Sequence, residues 1–249
     1  MISTVSEPRV QFRGPRHEGA PERGRTSASR SAVGKVWESS SGSSPPRSRA
    51  LFRWHRNDDE GRPPRVDAVG FAVVPAARDI VPAVNRLAAA LRQAGGGVFW
   101  VKFTNDDDWS VCFELITPEI RRKRIATLSE GTLGHELWRD LDIQPEDEIV
   151  KKYRYSAFMP GASELPERLR ARGFDTVLIT GTMTNACCDS SARDANMMNF
   201  RTIMVSDANA ANTKEEHDAS LTAFYCVFGD VMDTDTIIES LGRAGRPRP

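Results

Sequence analysis

The sequence predicts an α/β fold: a doubly wound, mostly parallel sheet with helices on both faces. Three observations predict it. The chain has 249 residues, enough for one large α/β domain or for one domain with a tail. From about Asp67 onward, short apolar runs rich in β-forming residues alternate with segments of helical periodicity. That alternation of strand and helix argues for parallel pairing with helices packed on both sides, and no internal repeat competes with it.

Along the chain, residues 1–66 read as a low-complexity, disordered or aberrant N-terminal region. The stretch Ser39–Arg49 is almost wholly Ser, Gly, Pro and Arg, a composition that buries too little apolar surface to offset chain entropy. Residues 67–249 read as the folded domain. Ile80, Val81, Val84, Leu87 and Leu91 stand at helical spacing over 77–92, and Gly95-Gly96-Gly97 ends that helix. Val98–Phe103, Glu148–Lys152, Thr176–Thr180 and Thr202–Ser206 read as strands. Helical segments are expected near 114–126, 163–172, 185–198 and 215–228.

Composition narrows the function classes. Lys and Arg number 34 and Asp and Glu 34, so the net charge is +0 and gives no reason to expect nucleic acid as a partner. The zero conceals an asymmetry, because residues 1–66 carry 13 basic against 7 acidic groups and the remainder carries 21 against 27. No apolar run reaches the roughly 18 residues of a membrane span, so no membrane partner is expected. The start of the chain lacks the apolar core of a secretory signal, and Glu7, Glu18 and Glu22 argue against an organelle transit peptide. The four cysteines, Cys112, Cys187, Cys188 and Cys226, form no CxxC pair, which suits a reducing, cytoplasmic setting.

In parallel sheets, ligands bind outside the carboxyl ends of the strands, so the segments just after each strand carry the functional expectation. The most informative is Gly181-Thr182-Met183-Thr184-Asn185-Ala186-Cys187-Cys188. A strand runs into Gly181, and Thr and Asn then suit a helix N-cap. This places Cys187 in the first helical turn, where unpaired N–H groups and the helix dipole favour a thiolate and can hold an oxyanion. Cys188, one step round the helix, reads as an ordinary buried cysteine. The second segment is Val150-Lys151-Lys152-Tyr153-Arg154-Tyr155-Ser156-Ala157-Phe158. Here a lysine leaving a strand end could stabilise a thiolate or oxyanion. It could equally be a solvated basic run, and Lys151 is the alternative to Lys152 if the strand phase shifts by one.

Together these segments resemble the isochorismatase-like cysteine hydrolases, a family that includes nicotinamidases, N-carbamoylsarcosine amidases and ureidoacrylate amidohydrolases. The likeness is carried by Lys152–Phe158, by Gly181–Cys187 running on into Ser191-Ala192-Arg193-Asp194-Ala195, and by Val205–Asn209. It spans roughly residues 70–242. The resemblance implies a Rossmann-like fold and hydrolysis of a non-peptide C–N bond in a small amide, carbamoyl or ureido compound, through a thioester. It implies Cys187 as nucleophile and Lys152 as catalytic lysine. It also implies a cis peptide at Thr182–Met183, and an oxyanion hole from the backbone N–H groups of Met183 and Cys187. Phe158 and Trp109 are nominated for the pocket wall or for core packing, and Arg193 with Asp194 for a supporting ion pair. A homodimer or homotetramer is the implied assembly.

One part of the family pattern is missing. Its third catalytic residue is an aspartate that ends the first strand, and no such strand-then-Asp pattern stands before Val74. Asp58 is the nominated stand-in, with Asp59 or Asp67 as alternatives, while an alignment on Ala50-Leu51-Phe52 puts His55 in that place. Three readings stay open: a surrogate acid, a rearranged N-terminal segment that leaves the sheet without a central strand, or a family member that has lost catalysis and serves as a binding or scaffold protein. An isochorismatase-type vinyl ether hydrolase, working without the cysteine, is a further alternative. The four histidines, His17, His55, His135 and His217, show no paired spacing, so no metal and no cofactor are expected. His217 reads as a structural residue at the start of a helix.

Overall fold

The computed structural model describes residues 2–5, 74–105 and 116–244. Among these, six strands form one sheet: β1 (Ile2–Val5), β2 (Gly97–Phe103), β3 (Glu148–Lys152), β4 (Thr176–Thr182), β5 (Arg201–Ala210) and β6 (Asp230–Met232), in the spatial order β3-β2-β1-β4-β5-β6. Six α-helices accompany it: α1 (Val81–Gln93), α2 (Pro118–Leu128), α3 (Leu165–Ala171), α4 (Asp189–Met197), α5 (Lys214–Val227) and α6 (Thr234–Ala244). Pairs β2–β3, β4–β5 and β5–β6 are parallel.

Strand periodicity divides the core. Consecutive side chains leave a strand on opposite faces, so Val177 and Ile179 pack on one side and Leu178 on the other. The first face joins Phe99, Val150 and Met204 to Leu165 and Leu169 of α3, Ala192 and Ala195 of α4, and Leu221 and Phe224 of α5. The second joins Val98, Trp100, Ile203 and Val205 to Val84, Leu87 and Leu91 of α1 and to Ile237 and Leu241 of α6. This is the doubly wound arrangement that the alternation of elements predicts.

Two observations differ from expectation. The place between β2 and β4 is not empty. Ile2–Val5, within the stretch expected to lie outside the folded domain, occupies it and runs antiparallel to both neighbours, with Ile2 opposite Phe99 and Ile179. The run Ile-Ser-Thr-Val is rich in β-branched residues, which suit a pleated, half-buried surface. Ala50–Trp54, His55, Asp58, Asp59, Asp67 and Trp109 lie outside the described residues. The second difference is in β5. Its pairing with β4 shifts between Ile179 and Gly181, where Ile179 faces Met204 but Gly181 faces Asn209. The extra β5 residues bulge, and buried Asn209 closes the bulge by donating through Nδ2 to the carbonyls of Ile179 and Val205, both at 2.8 Å. Asp207, in the same bulge, accepts from the backbone N and the hydroxyl of Thr234 at 2.8 Å each, which caps α6.

Candidate active site

The carboxyl ends of β2, β3 and β4 supply the site. Lys152 ends β3 and is 5% exposed. Its Nζ donates to the Tyr155 carbonyl and lies 5.8 Å from the centroid of the Phe103 ring at the end of β2. Lys151 leaves the opposite face of the strand and pairs with Glu130 at 2.5 Å in solvent. The alternation of the strand therefore buries Lys152 and leaves Lys151 exposed.

β4 delivers the second group. Gly181 has φ +116, a conformation that side chains disfavour, and it sits where the pairing with β5 shifts. The Thr182–Met183 peptide is cis, at the position the resemblance implies. The chain then makes one wide π-type turn, Thr184–Cys188, before α4 begins at Asp189. The Met183 carbonyl accepts from the N–H groups of Ala186 at 3.2 Å and Cys188 at 3.1 Å. Cys187 thus lies on this wide turn, not in the first turn of a regular helix over 185–198. The cap position of this turn falls to Met183, with no side-chain capping bond, and the Thr184 hydroxyl meets His217.

Lys152 and Cys187 line the same cavity of about 50 Å³, together with Ala157, Thr180, Thr182 and Ser191. Lys152 is the cationic group among these described lining residues, and no carboxylate is among them. Cys188 also reaches the cavity, but burial pushes its thiol up to about 12, so it stays protonated. Ser191, in the first turn of α4, accepts from the N–H of Ala157 at 3.0 Å. It ties the loop after Lys152 to the helix after Cys187, a link that spacing alone does not reveal.

Phe158 is fully buried, packs edge-on against Phe200 at 5.5 Å, and belongs to the core; the neighbouring Ala157 forms the wall. Arg193 pairs with Asp189 at 2.7 Å, one helical turn back, and not with Asp194. Its guanidinium also stacks on Phe228 at 4.4 Å. Among the described residues no group of three His, Cys, Asp or Glu side chains could hold a metal ion. Buried His135 pairs with Thr104 at 2.8 Å and His217 with Thr184 at 2.9 Å. No helix among the described residues is long and apolar enough to cross a membrane.

The family model of the isochorismatase domain matches residues 68–236. The chain belongs to the isochorismatase-like cysteine hydrolase family. A ureidoacrylate amidohydrolase of Methylobacterium radiotolerans is 31% identical over 198 residues, covering 73% of this isochorismatase-like chain and 74% of its own length. Nicotinamidase 3 of Arabidopsis thaliana is 34% identical over 114 residues, but the match covers 45% of this chain and 57% of that protein. Among solved structures, a cysteine hydrolase from Pseudomonas syringae superposes with a TM-score of 0.61 at 29% identity, over 69% of this chain and 84% of the other.

Proposed function

We propose that this isochorismatase-like hydrolase cleaves a non-peptide C–N bond of a small amide, carbamoyl or ureido compound, with Cys187 as nucleophile. The observation that carries this reading is that Cys187 and Lys152, on different strand ends, line one cavity. The names of a ureidoacrylate amidohydrolase and a nicotinamidase among its relatives supply the bond class.

A carboxylate takes the Cys187 proton; Asp58 is its nominee. The thiolate attacks the carbonyl carbon, and the π electrons move onto oxygen. The backbone N–H groups of Met183 and Cys187 hold that oxyanion, with the Lys152 charge nearby. Collapse returns the C=O and breaks the C–N bond, and the carboxylic acid gives its proton to the leaving nitrogen. Water, deprotonated by the same carboxylate, then cleaves the thioester, and the carboxylic acid returns that proton to the departing thiolate, restoring the thiol and the carboxylate.

The test is ammonia release from ureidoacrylate and nicotinamide by the wild type and by Cys187→Ala. Loss of more than about 10³-fold supports the nucleophile. Turnover that survives without Cys187 refutes it. One observation favours a second reading, a binding protein with impaired catalysis: β1 fills the place of the family's aspartate-bearing strand, and none of Ile2–Val5 is acidic. That reading gains if neither compound is turned over and Cys187 reacts as an ordinary thiol, with an apparent pKa of about 8.5.

A further inference from the structure

We infer that His217 is a positioning residue that fixes the cysteine turn from behind, acting through Thr184. This rests on Cys187 being the nucleophile. Thr184 opens the turn and is completely buried. Its hydroxyl meets His217 Nδ1 at 2.9 Å. Its carbonyl accepts from the Ser220 hydroxyl at 3.3 Å. His217 and Ser220 stand three apart on α5, on one face of the helix, so a single helix face grips both polar ends of one residue. Thr184 lies three residues before Cys187, and the turn between them is wider than an α-helix. The backbone bonds to the Met183 carbonyl close the turn, and the grip on Thr184 from α5 fixes the end from which the sulfur is presented.

The experiment measures iodoacetamide alkylation of Cys187 against pH, located by peptide mass, alongside the thermal midpoint of each protein. The set is wild type, His217→Ala, His217→Asn, Thr184→Val and the double variant His217→Ala with Thr184→Val. An amide at 217 can still meet the Thr184 hydroxyl, so His217→Asn stays within about threefold of wild type. His217→Ala and Thr184→Val each slow alkylation at pH 7 about tenfold. The double variant is no slower than either single one, because both remove the same bond. If His217→Ala unfolds, Thr184→Val against Thr184→Ser, which keeps the hydroxyl, makes the same comparison. Unchanged alkylation in both single variants overturns the positioning role while the nucleophile reading stands. So does an additive loss, or an Asn variant as slow as the Ala variant. A wild-type Cys187 that alkylates no faster than free cysteine, together with turnover that survives Cys187→Ala, overturns the nucleophile reading itself, and the positioning role with it.

Discussion

Replacing Asp147 should cost the fold about 3–4 kcal/mol and make β3, the strand that presents Lys152, the first part to loosen. The Asp147 side chain is 1% exposed and receives four hydrogen bonds: two from Arg92 at 3.0 and 2.7 Å, one from Trp100 Nε1 at 2.8 Å and one from the N–H of Gln144 at 2.9 Å. It thereby joins α1, β2 and the turn that leads into β3. Asp147→Ala strands a buried indole N–H, which costs about 1–3 kcal/mol. It also breaks one arm of a buried ion pair, for which the full cost is about 3–5 kcal/mol. Arg92 keeps Asp142 at 3.0 Å, which holds the sum to the lower end of that range. The thermal midpoint should drop by roughly 6–16 °C at about 2–4 °C per kcal/mol for a domain of this size. Acidification adds a second signature. Burial alone would raise the Asp147 pKa, but the bonds from Arg92, the Gln144 backbone and Trp100 outweigh it and hold the carboxyl below its ordinary value. A carboxyl depressed in the fold contributes stability above the unfolded value of about 3.9, and that contribution is lost as pH falls through the lower folded value. Urea titrations of wild type and Asp147→Asn from pH 7 to pH 3 should therefore show a gap that is constant down to about pH 4 and closes below it. A loss under about 1 kcal/mol for Asp147→Ala, or a gap that stays constant into acid, would refute this account of the network.

Phe158→Ala should cost about 3–5 kcal/mol, as large-to-small core changes do, and leave KM for a turned-over amide within about threefold. A KM rise at unchanged stability would return Phe158 to the pocket wall. Burial also holds the pKa values of His135 and His217 below the ordinary histidine value. The unfolded chain therefore takes up protons first as pH falls below about 6.5, and stability declines from there toward the folded values, by no more than about 1.4 kcal/mol per pH unit for each histidine. Urea titrations between pH 7.5 and 5 should show that slope, and His135→Gln should reduce it; an unchanged slope would rule out His135 as a source.

The parts of this fold that are legible in the sequence are those with a signal of their own. β3 has the expected bounds, Glu148–Lys152, and β2 begins one residue early because Gly97 joins the apolar run. The shape of the cysteine turn is not legible. A helical period and a π-type period diverge too little over the five residues Thr184–Cys188 to be told apart, and the Thr184 hydroxyl meets a histidine far along the chain. Phe158 is equally ambiguous in sequence, since a pocket wall and a core both want an aromatic ring; its contact with Phe200 decides the matter. β1 is the hardest case. Four residues pair with Phe99 and Ile179, both remote in sequence, and tertiary pairing of that kind leaves no local pattern.

The polarity of β1 also bears on the acid. Val5 faces Thr176, the first residue of β4, while Ile2 faces Ile179 nearer its carboxyl end. A strand running with its neighbours would lead its next residue out at the edge where Lys152 and Cys187 stand. Antiparallel β1 instead points its carboxyl end toward the opposite edge, so the family's order of strand and then aspartate cannot be met directly at the end of β1. The cysteine and the lysine survive this reversal because β4 and β3 keep their parallel direction and carry those groups at their own ends. Any carboxylate that serves Cys187 must then reach the edge from a segment not led there by β1. Asp58→Asn is the direct probe of that requirement: it should abolish ammonia release while leaving the Cys187 alkylation rate at high pH, where the thiol ionises unaided, within about twofold of wild type. Full ammonia release from Asp58→Asn would remove Asp58 as the base.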